Sequence, residues 1–403
     1  MSGERGVAVV NASIVHHERV ATGECLFQRD GVIEYVGPHR RPPAGWDVVD
    51  VRGRLLLPGL VDVHVHGARG RTFNEPDTRA WTSVTAAHAR AGSTSVLATL
   101  ASDSLPATAA ALDAGRRTDG DSRPVGAHLE GPYLNPEFAG AHPEEALRTP
   151  DDGGWQTLLA EPEFVRMVTL APELPGAAKV IRALTERNVV VSAGHSGASG
   201  EVLATARSHG LSHVAHLWSG QSALSKDGPW RITGLLESVL ASDGLTAELI
   251  ADGRHLPAEL VRIAYRCLGP DRLCLVSDAS AGTGLPPGSE FSMGAARGVV
   301  ADGVALDHRG EAFCGSTSFL SDILRFTVLR AGVPLPHATR MAATTPARVA
   351  GIAERTGSLA PGLAADLVVL DDGLRVLRVA RHGRWLDEGG RGPADEGEET
   401  GDG

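Results

Sequence analysis

Lysine is almost missing from this chain of 403 residues. Of 38 basic residues only Lys179 and Lys226 are lysine. Set against 49 acidic residues they leave a formal charge of -11, which excludes the broad basic face of a nucleic-acid protein or a polybasic membrane binder. Cysteine is scarce too. Cys25, Cys267, Cys274 and Cys314 stand singly, with no CxxC pair, so disulfide scaffolds and zinc ribbons are excluded and a reducing cytoplasm is the expected compartment. No apolar run approaches the roughly 20 residues that span a bilayer. From Met1 onward there is no basic, then apolar, then small-residue export signal. Aromatics make up only 4%. In their place stand a 42% apolar fraction, enough for a large core, and 49 Gly with 24 Pro, which punctuate many short elements. Histidine is abundant, at 16.

The first 58 residues read as short strands, at Val7 to Val15, Cys25 to Gln28, Val32 to Val36 and Val48 to Val51, separated by turn residues. After Pro58-Gly59 the texture changes. Apolar runs beginning at Leu60, Thr94, Val125, Phe164, Val189, Val214, Ala247 and Leu273 alternate with Ala-rich segments of helical period. Eight such units predict an α/β fold, a (β/α)8 TIM-like barrel spanning 59–355. A doubly wound sheet is the rival, but no glycine-rich phosphate fingerprint follows any of these strands. Strand-like runs return at Ala365 to Leu370 and Val376 to Val379. They predict a small β-sandwich domain built from both chain ends, 1–58 and 356–387, followed by an acidic disordered tail at 388–403.

The chemistry collects at the ends of the apolar runs. Asp62-Val63-His64-Val65-His66-Gly67 closes the first, and residues two apart share one strand face, so both imidazoles can meet one metal. The third run ends in Glu130, the fifth in His195, the sixth in His216 and the eighth in Asp278. In a barrel these C-terminal ends converge on the face where active sites lie. Imidazoles and carboxylates without thiolates suit Zn²⁺ or a similar divalent ion with an open water position. The lysine shortage also decides a point. A carboxylated lysine bridging two ions would need a mid-barrel strand, whereas Lys179 falls in a helical segment and Lys226 in a Gly/Pro loop. Glu130 remains as the acidic ligand.

These residues also carry a resemblance. Pro58 to Gly67 resembles the opening signature of the amidohydrolase superfamily. His128-Leu129-Glu130-Gly131-Pro132-Tyr133, Ala139-Gly140-Ala141-His142, Gly194-His195-Ser196, Asp252-Gly253-Arg254-His255 and Ser277-Asp278-Ala279 narrow it to the N-acetylglucosamine-6-phosphate deacetylase family. The resemblance runs from about residue 7 to 386. It implies a homodimer that removes the acetyl group of an amino-sugar phosphate. It makes Glu130, His195 and His216 the ligands of the main metal and Asp278 the general acid/base. His142 and His255 become substrate contacts, with Gly315 in the turn lining the sugar site. Because His64 and His66 are both present, there is room for a second ion.

One segment departs from the family. After His216 the family pattern continues with an Asn-Ala pair and an arginine that hold the sugar phosphate, the arginine reaching from the neighbouring subunit; here the chain reads Trp218-Ser219-Gly220-Gln221, with Lys226 further on. Ser219 and Gly220 could offer backbone N–H groups to an anion, and Lys226 could stand in for the arginine. The leading expectation is N-acetylglucosamine 6-phosphate converted to glucosamine 6-phosphate and acetate. The alternative is a non-phosphorylated or different N-acetyl amino sugar or related acetamide.

Overall fold

The computed structural model describes residues 6–120, 123–159, 163–301 and 303–386. The expected acidic tail lies outside the described residues. Eight parallel strands, Leu60–Val65, Ser93–Leu100, Gly126–Glu130, Val165–Leu170, Val190–Ala193, His213–Val214, Thr246–Leu249 and Leu273–Leu275, pair successively in chain order. Just past the last strand, Asp278 N–H donates to His64 O at 2.9 Å and His66 N–H to Ala279 O at 3.0 Å. The last strand's extension thereby meets the first, and the barrel closes. Each of the eight apolar runs read from the sequence contributes one strand.

The strands are continuous apolar runs because they are covered on both faces. Every residue of Leu60–Val65, Ser93–Leu100 and Gly126–Glu130 is buried, as expected where helices wrap a parallel sheet. The helices begin where side chains can satisfy their first amides. Asp77 caps Thr78–Arg90, Ser104 caps Leu105–Arg116 and Ser199 caps Gly200–Ser208, each accepting a backbone N–H of the first turn. Their apolar faces pack inward. Trp81 is fully buried, between the rings of Phe73 at 5.0 Å and Phe164 at 6.1 Å.

The small β domain expected from both chain ends is present. Leu367–Leu370 runs antiparallel to Leu55–Pro58, with Leu367 opposite Pro58 and Leu370 opposite Leu55. The returning chain therefore grips the strand that leads directly into the barrel. Val7–Val15 uses one edge for two partners, Val7 to Val10 pairing with Asp47–Asp50 and Ser13-Ile14 with Leu55-Leu56. Ile14, Leu26, Ile33, Leu56, Leu367 and Val369 form this sheet's own apolar cluster. No described helix is long and apolar enough to cross a membrane.

Two additions interrupt the barrel at the C-terminal ends of its strands. A hairpin, Ser225–Asp227 with Trp230–Ile232, follows the sixth strand, and a three-stranded sheet, Glu290–Met293, Ala296–Val300 and Ala305–Asp307, follows the eighth. Between them in sequence, the start of the Ser280 to Gly288 loop is tied down. The Ser280 and Thr283 hydroxyls donate to Ser316 O at 2.9 and 3.2 Å, and both residues are fully buried.

Candidate active site

Six residues from five strand ends meet at the C-terminal mouth of the barrel. Glu130, the last residue of the third strand, is the hub. Its Oε1 lies 2.9 Å from His216 Nε2, 3.2 Å from His195 Nε2 and 3.4 Å from His64 Nε2. Its Oε2 lies 3.2 Å from His66 Nε2 and 3.3 Å from His142 Nε2. Asp278 faces it from the eighth strand end, with Oδ1 3.2 Å from His66 Nε2 and 3.6 Å from His64 Nε2. The backbone accepts strain to achieve this. His195 and Asp278 both hold φ at 46° and Trp218 at 71°, left-handed values that cost a residue with a Cβ about 1–2 kcal/mol.

The imidazoles are oriented from behind. His195 Nδ1–H donates to Phe138 O at 2.8 Å and His216 Nδ1–H to Ser219 O at 3.2 Å, which leaves each Nε2 lone pair facing Glu130. His64 Nδ1–H is held by the Glu248 carboxylate at 2.8 Å, and its buried Nε2 has no hydrogen-bond partner. His142 is reversed. Its Nδ1 accepts the Ser102 N–H at 3.3 Å, so its Nε2 carries the proton and acts as a donor. Two triads, His64 with His66 and Glu130, and Glu130 with His195 and His216, bring their ligand atoms within 4.8 Å of one another and could each hold a metal ion. Ligand atoms about 3.3 Å apart are what tetrahedral bonds of about 2.0–2.1 Å require. The orphaned His64 Nε2 and the outward lone pairs thus fit a divalent cation.

The field favours positive charge there. Burial alone would push His64 down, but Glu248 and then Glu130 hold its pKa well above the ordinary imidazole value. Burial works against Glu130 as well, yet His64, His142 and His195 keep it well below the usual carboxylate range. Asp278 follows the same pattern: burial raises it, and His66 and His64 bring it below its ordinary value. Beneath the histidines Asp62 is fully buried, accepting the Ser277 N–H at 3.2 Å, and burial pushes it up to about 7.

A cavity of about 270 Å³ opens above this cluster, lined by Glu130, His142, His195, His216, His255, Asp278, Ser219, Gly220 and Gly315 among others. His255 Nδ1–H donates to Asp252 at 2.7 Å, presenting Nε2 as an acceptor. Gly315, at φ 71°, must be glycine, because a Cβ would come within 2.7 Å of Asp278 O. One expectation needs correction. Ser219 lines the cavity, but its N–H is committed to His216 O at 3.0 Å, closing the tight turn that aims His216, so it is not offered to an anion. Lys226 does not line the cavity of its own chain, as a residue expected to reach a neighbouring subunit need not. It sits opposite Arg231 in the exposed hairpin, whose two short strands bury no residue.

With the barrel, the triads that could hold a metal and the opposed aspartate in place, comparison with known proteins is direct. The amidohydrolase family model matches residues 55–386. This chain belongs to that family. It is 32% identical over 373 residues to an N-acetylgalactosamine-6-phosphate deacetylase from Shewanella sp. (strain ANA-3), covering 91% of this chain and 92% of the relative. It is 33% identical over 339 residues to an N-acetylglucosamine-6-phosphate deacetylase from Danio rerio, covering 81% and 83%. A Mycobacterium smegmatis N-acetyl-D-glucosamine-6-phosphate deacetylase variant, solved in complex with N-acetyl-D-glucosamine-6-phosphate, aligns with a TM-score of 0.88 at 30% identity over 94% of this chain and 99% of that one. This amidohydrolase is accordingly a hydrolase.

Sequence reasoning passed over the layer that supports the histidines of this amidohydrolase cluster. Glu248, fully buried on the seventh strand, binds His64 Nδ1, His213 Nε2 at 3.1 Å and the His216 N–H at 3.1 Å. His128, two residues before Glu130, is held between the hydroxyls of Thr99 at 3.2 Å and Thr169 at 2.8 Å. Burial pushes it down to about 3. The available signal was a single glutamate inside an otherwise apolar barrel run.

Proposed function

We propose that this amidohydrolase is a divalent-metal-dependent deacetylase that converts N-acetylglucosamine 6-phosphate to glucosamine 6-phosphate and acetate. The observation that carries the reading is the Glu130 carboxylate ringed by outward imidazole nitrogens, with Asp278 set opposite. Glu130, His195 and His216 would hold the main ion, and His64 and His66 with Glu130 a second. The nitrogen and oxygen donor set, without thiolate, favours zinc. Such an ion, when bound, supplies Lewis acidity toward the amide carbonyl and makes water more acidic.

The side chains complete the reaction. Asp278, held ionised, takes a proton from the attacking water as its oxygen bonds to the acetamide carbon. It then delivers that proton to the amine nitrogen as the C–N bond breaks, so the sugar leaves as a neutral amine and the acyl group as acetic acid, whose remaining proton passes to the released amine to give acetate and an ammonium sugar. The Nε2–H of His142 is positioned to stabilise the oxygen of the acetamide. His255 Nε2 accepts from a sugar hydroxyl.

The relatives support an amino-sugar phosphate. A second reading, a non-phosphorylated N-acetyl amino sugar or related acetamide, is favoured by the absence of any lysine or arginine among the described residues lining the cavity. The hairpin supports a homodimer in which Lys226 or Arg231 serves a neighbouring subunit. Trp230 at its tip is 73% exposed, and Leu224 and Ile232 flank it. All four cysteines are free thiols, in keeping with a cytoplasmic enzyme. Acetate release from N-acetylglucosamine, its 6-phosphate and N-acetylgalactosamine 6-phosphate tests the reading. The first proposal expects kcat/KM at least tenfold higher with N-acetylglucosamine 6-phosphate. Equal rates with the unphosphorylated sugar would establish the second.

A further inference from the structure

A second cavity lies at the opposite end of the barrel, where the second, third and fourth strands begin. It measures about 350 Å³ and is walled by Ser95, Val125 and Phe164 on the barrel side and by Thr356, Asp366 and Arg381 from the returning chain. On a molecule of net charge -11 this cavity gathers four arginines, Arg123, Arg166, Arg355 and Arg381, against two carboxylates, Glu163 and Asp366.

Among the described residues, Glu163 and Asp366 form no ion pair with Arg123, Arg166 or Arg355. Asp366 is already held by neutral donors, its Oδ1 accepting the His382 N–H at 2.8 Å and its Oδ2 the Thr356 hydroxyl at 3.0 Å. Arg166 donates from Nε to Val125 O at 2.8 Å and from Nη1 to Ala350 O at 3.5 Å. Arg123 stands over the Phe164 ring at 5.8 Å. Arg381 donates from Nη2 to Arg123 O at 3.3 Å and has further interactions of its own. Among the described residues, no carboxylate forms an ion pair with Arg123, Arg166 or Arg355. Burial, and then the charge of Arg355, lower the pKa of Arg166. Guanidiniums drawn together in a concave site repel one another until an anion lies among them, and their forked donors match phosphate oxygens in pairs.

We infer that this cavity binds the phosphate group of a small phosphorylated metabolite, at a site separate from the catalytic one. Catalysis in this fold belongs to the other end of the barrel, and the volume lies in the range of small-molecule sites. Isothermal titration of the whole protein with inorganic pyrophosphate, at low ionic strength, tests the inference. One equivalent is expected to bind. Arg355→Ala, at the exposed rim, and Arg166→Ala are each expected to weaken binding at least tenfold, while acetate release by Arg355→Ala stays at the wild-type rate. Pyrophosphate should also raise the melting temperature of the wild type but not of Arg355→Ala. No binding by the wild type would overturn the inference. So would binding undiminished in Arg355→Ala, which would place the anion elsewhere, the catalytic cavity included.

Discussion

Replacing Glu248 by glutamine tests whether the buried support layer sets metal affinity. The substitution keeps volume and shape but removes the charge that holds the His64 Nδ1 proton at 2.8 Å, the His213 ring at 3.1 Å and the His216 amide at 3.1 Å. If the amide nitrogen of glutamine turns toward His64, the ring must carry its proton on Nε2, and the lone pair facing Glu130 is lost. Partners of metal-bound histidines are typically worth 10- to 100-fold in affinity, about 1.4–2.7 kcal/mol. The expected result for Glu248→Gln is a loss of that size in the affinity of the ion held with His64, read by chelator competition with metal content measured on the same samples. Glu248→Ala should be worse and also destabilising, because it leaves buried histidines without their acceptor. Unchanged affinity and stoichiometry in a folded Glu248→Gln protein would refute the reasoning, since Glu248 would then not act through a metal-binding His64.

Two further changes probe the scaffold. Gly220 holds φ at 57°, and a Cβ there would stand 2.8 Å from His195 Nδ1 and 3.0 Å from Phe138 O, across the hydrogen bond that orients His195. Gly220→Ala should cut activity at least tenfold at stoichiometric metal, with partial recovery in excess metal; full activity at stoichiometric metal would contradict the proposed orientation. His88, buried with Nε2–H on Gly67 O at 3.1 Å, has its pKa pushed down to about 4 by burial. The unfolded chain takes up that proton near pH 6.5, so His88 contributes stability above pH 6.5 that is lost as pH falls toward 4, about 3 kcal/mol in all. His88→Gln should flatten the urea-unfolding profile over that window, and an unaltered slope would count against it.

What could be read from the sequence follows physical lines. The eight barrel strands were legible because burial on both faces makes each an unbroken apolar run. His64 and His66 were legible because a two-residue spacing on a strand is a statement about direction. Glu248 was not, because its partners His64 and His213 lie 184 and 35 residues away, and only barrel closure makes them neighbours. The fate of the Ser219 amide depends on a tight turn, with Trp218 in a left-handed conformation, that composition does not reveal. The hairpin that carries Lys226 was not legible, because it is exposed on both strands and has no burial pattern to position it. The insertion at Glu290–Met293 does alternate, Phe291 and Met293 pointing inward, but four residues between glycine-rich turns are too short a pattern to declare a strand.

The central claim is that a metal held by Glu130 and its histidines works with Asp278 to hydrolyse an acetamide. The most direct measurement is acetate release from N-acetylglucosamine 6-phosphate by wild type and Asp278→Asn, with metal content determined on the same preparations. The account predicts at least one tightly bound divalent ion in both proteins, and turnover about 10²–10⁴-fold lower in the variant. Near-wild-type turnover by Asp278→Asn, or full activity in a protein stripped of metal, would contradict it.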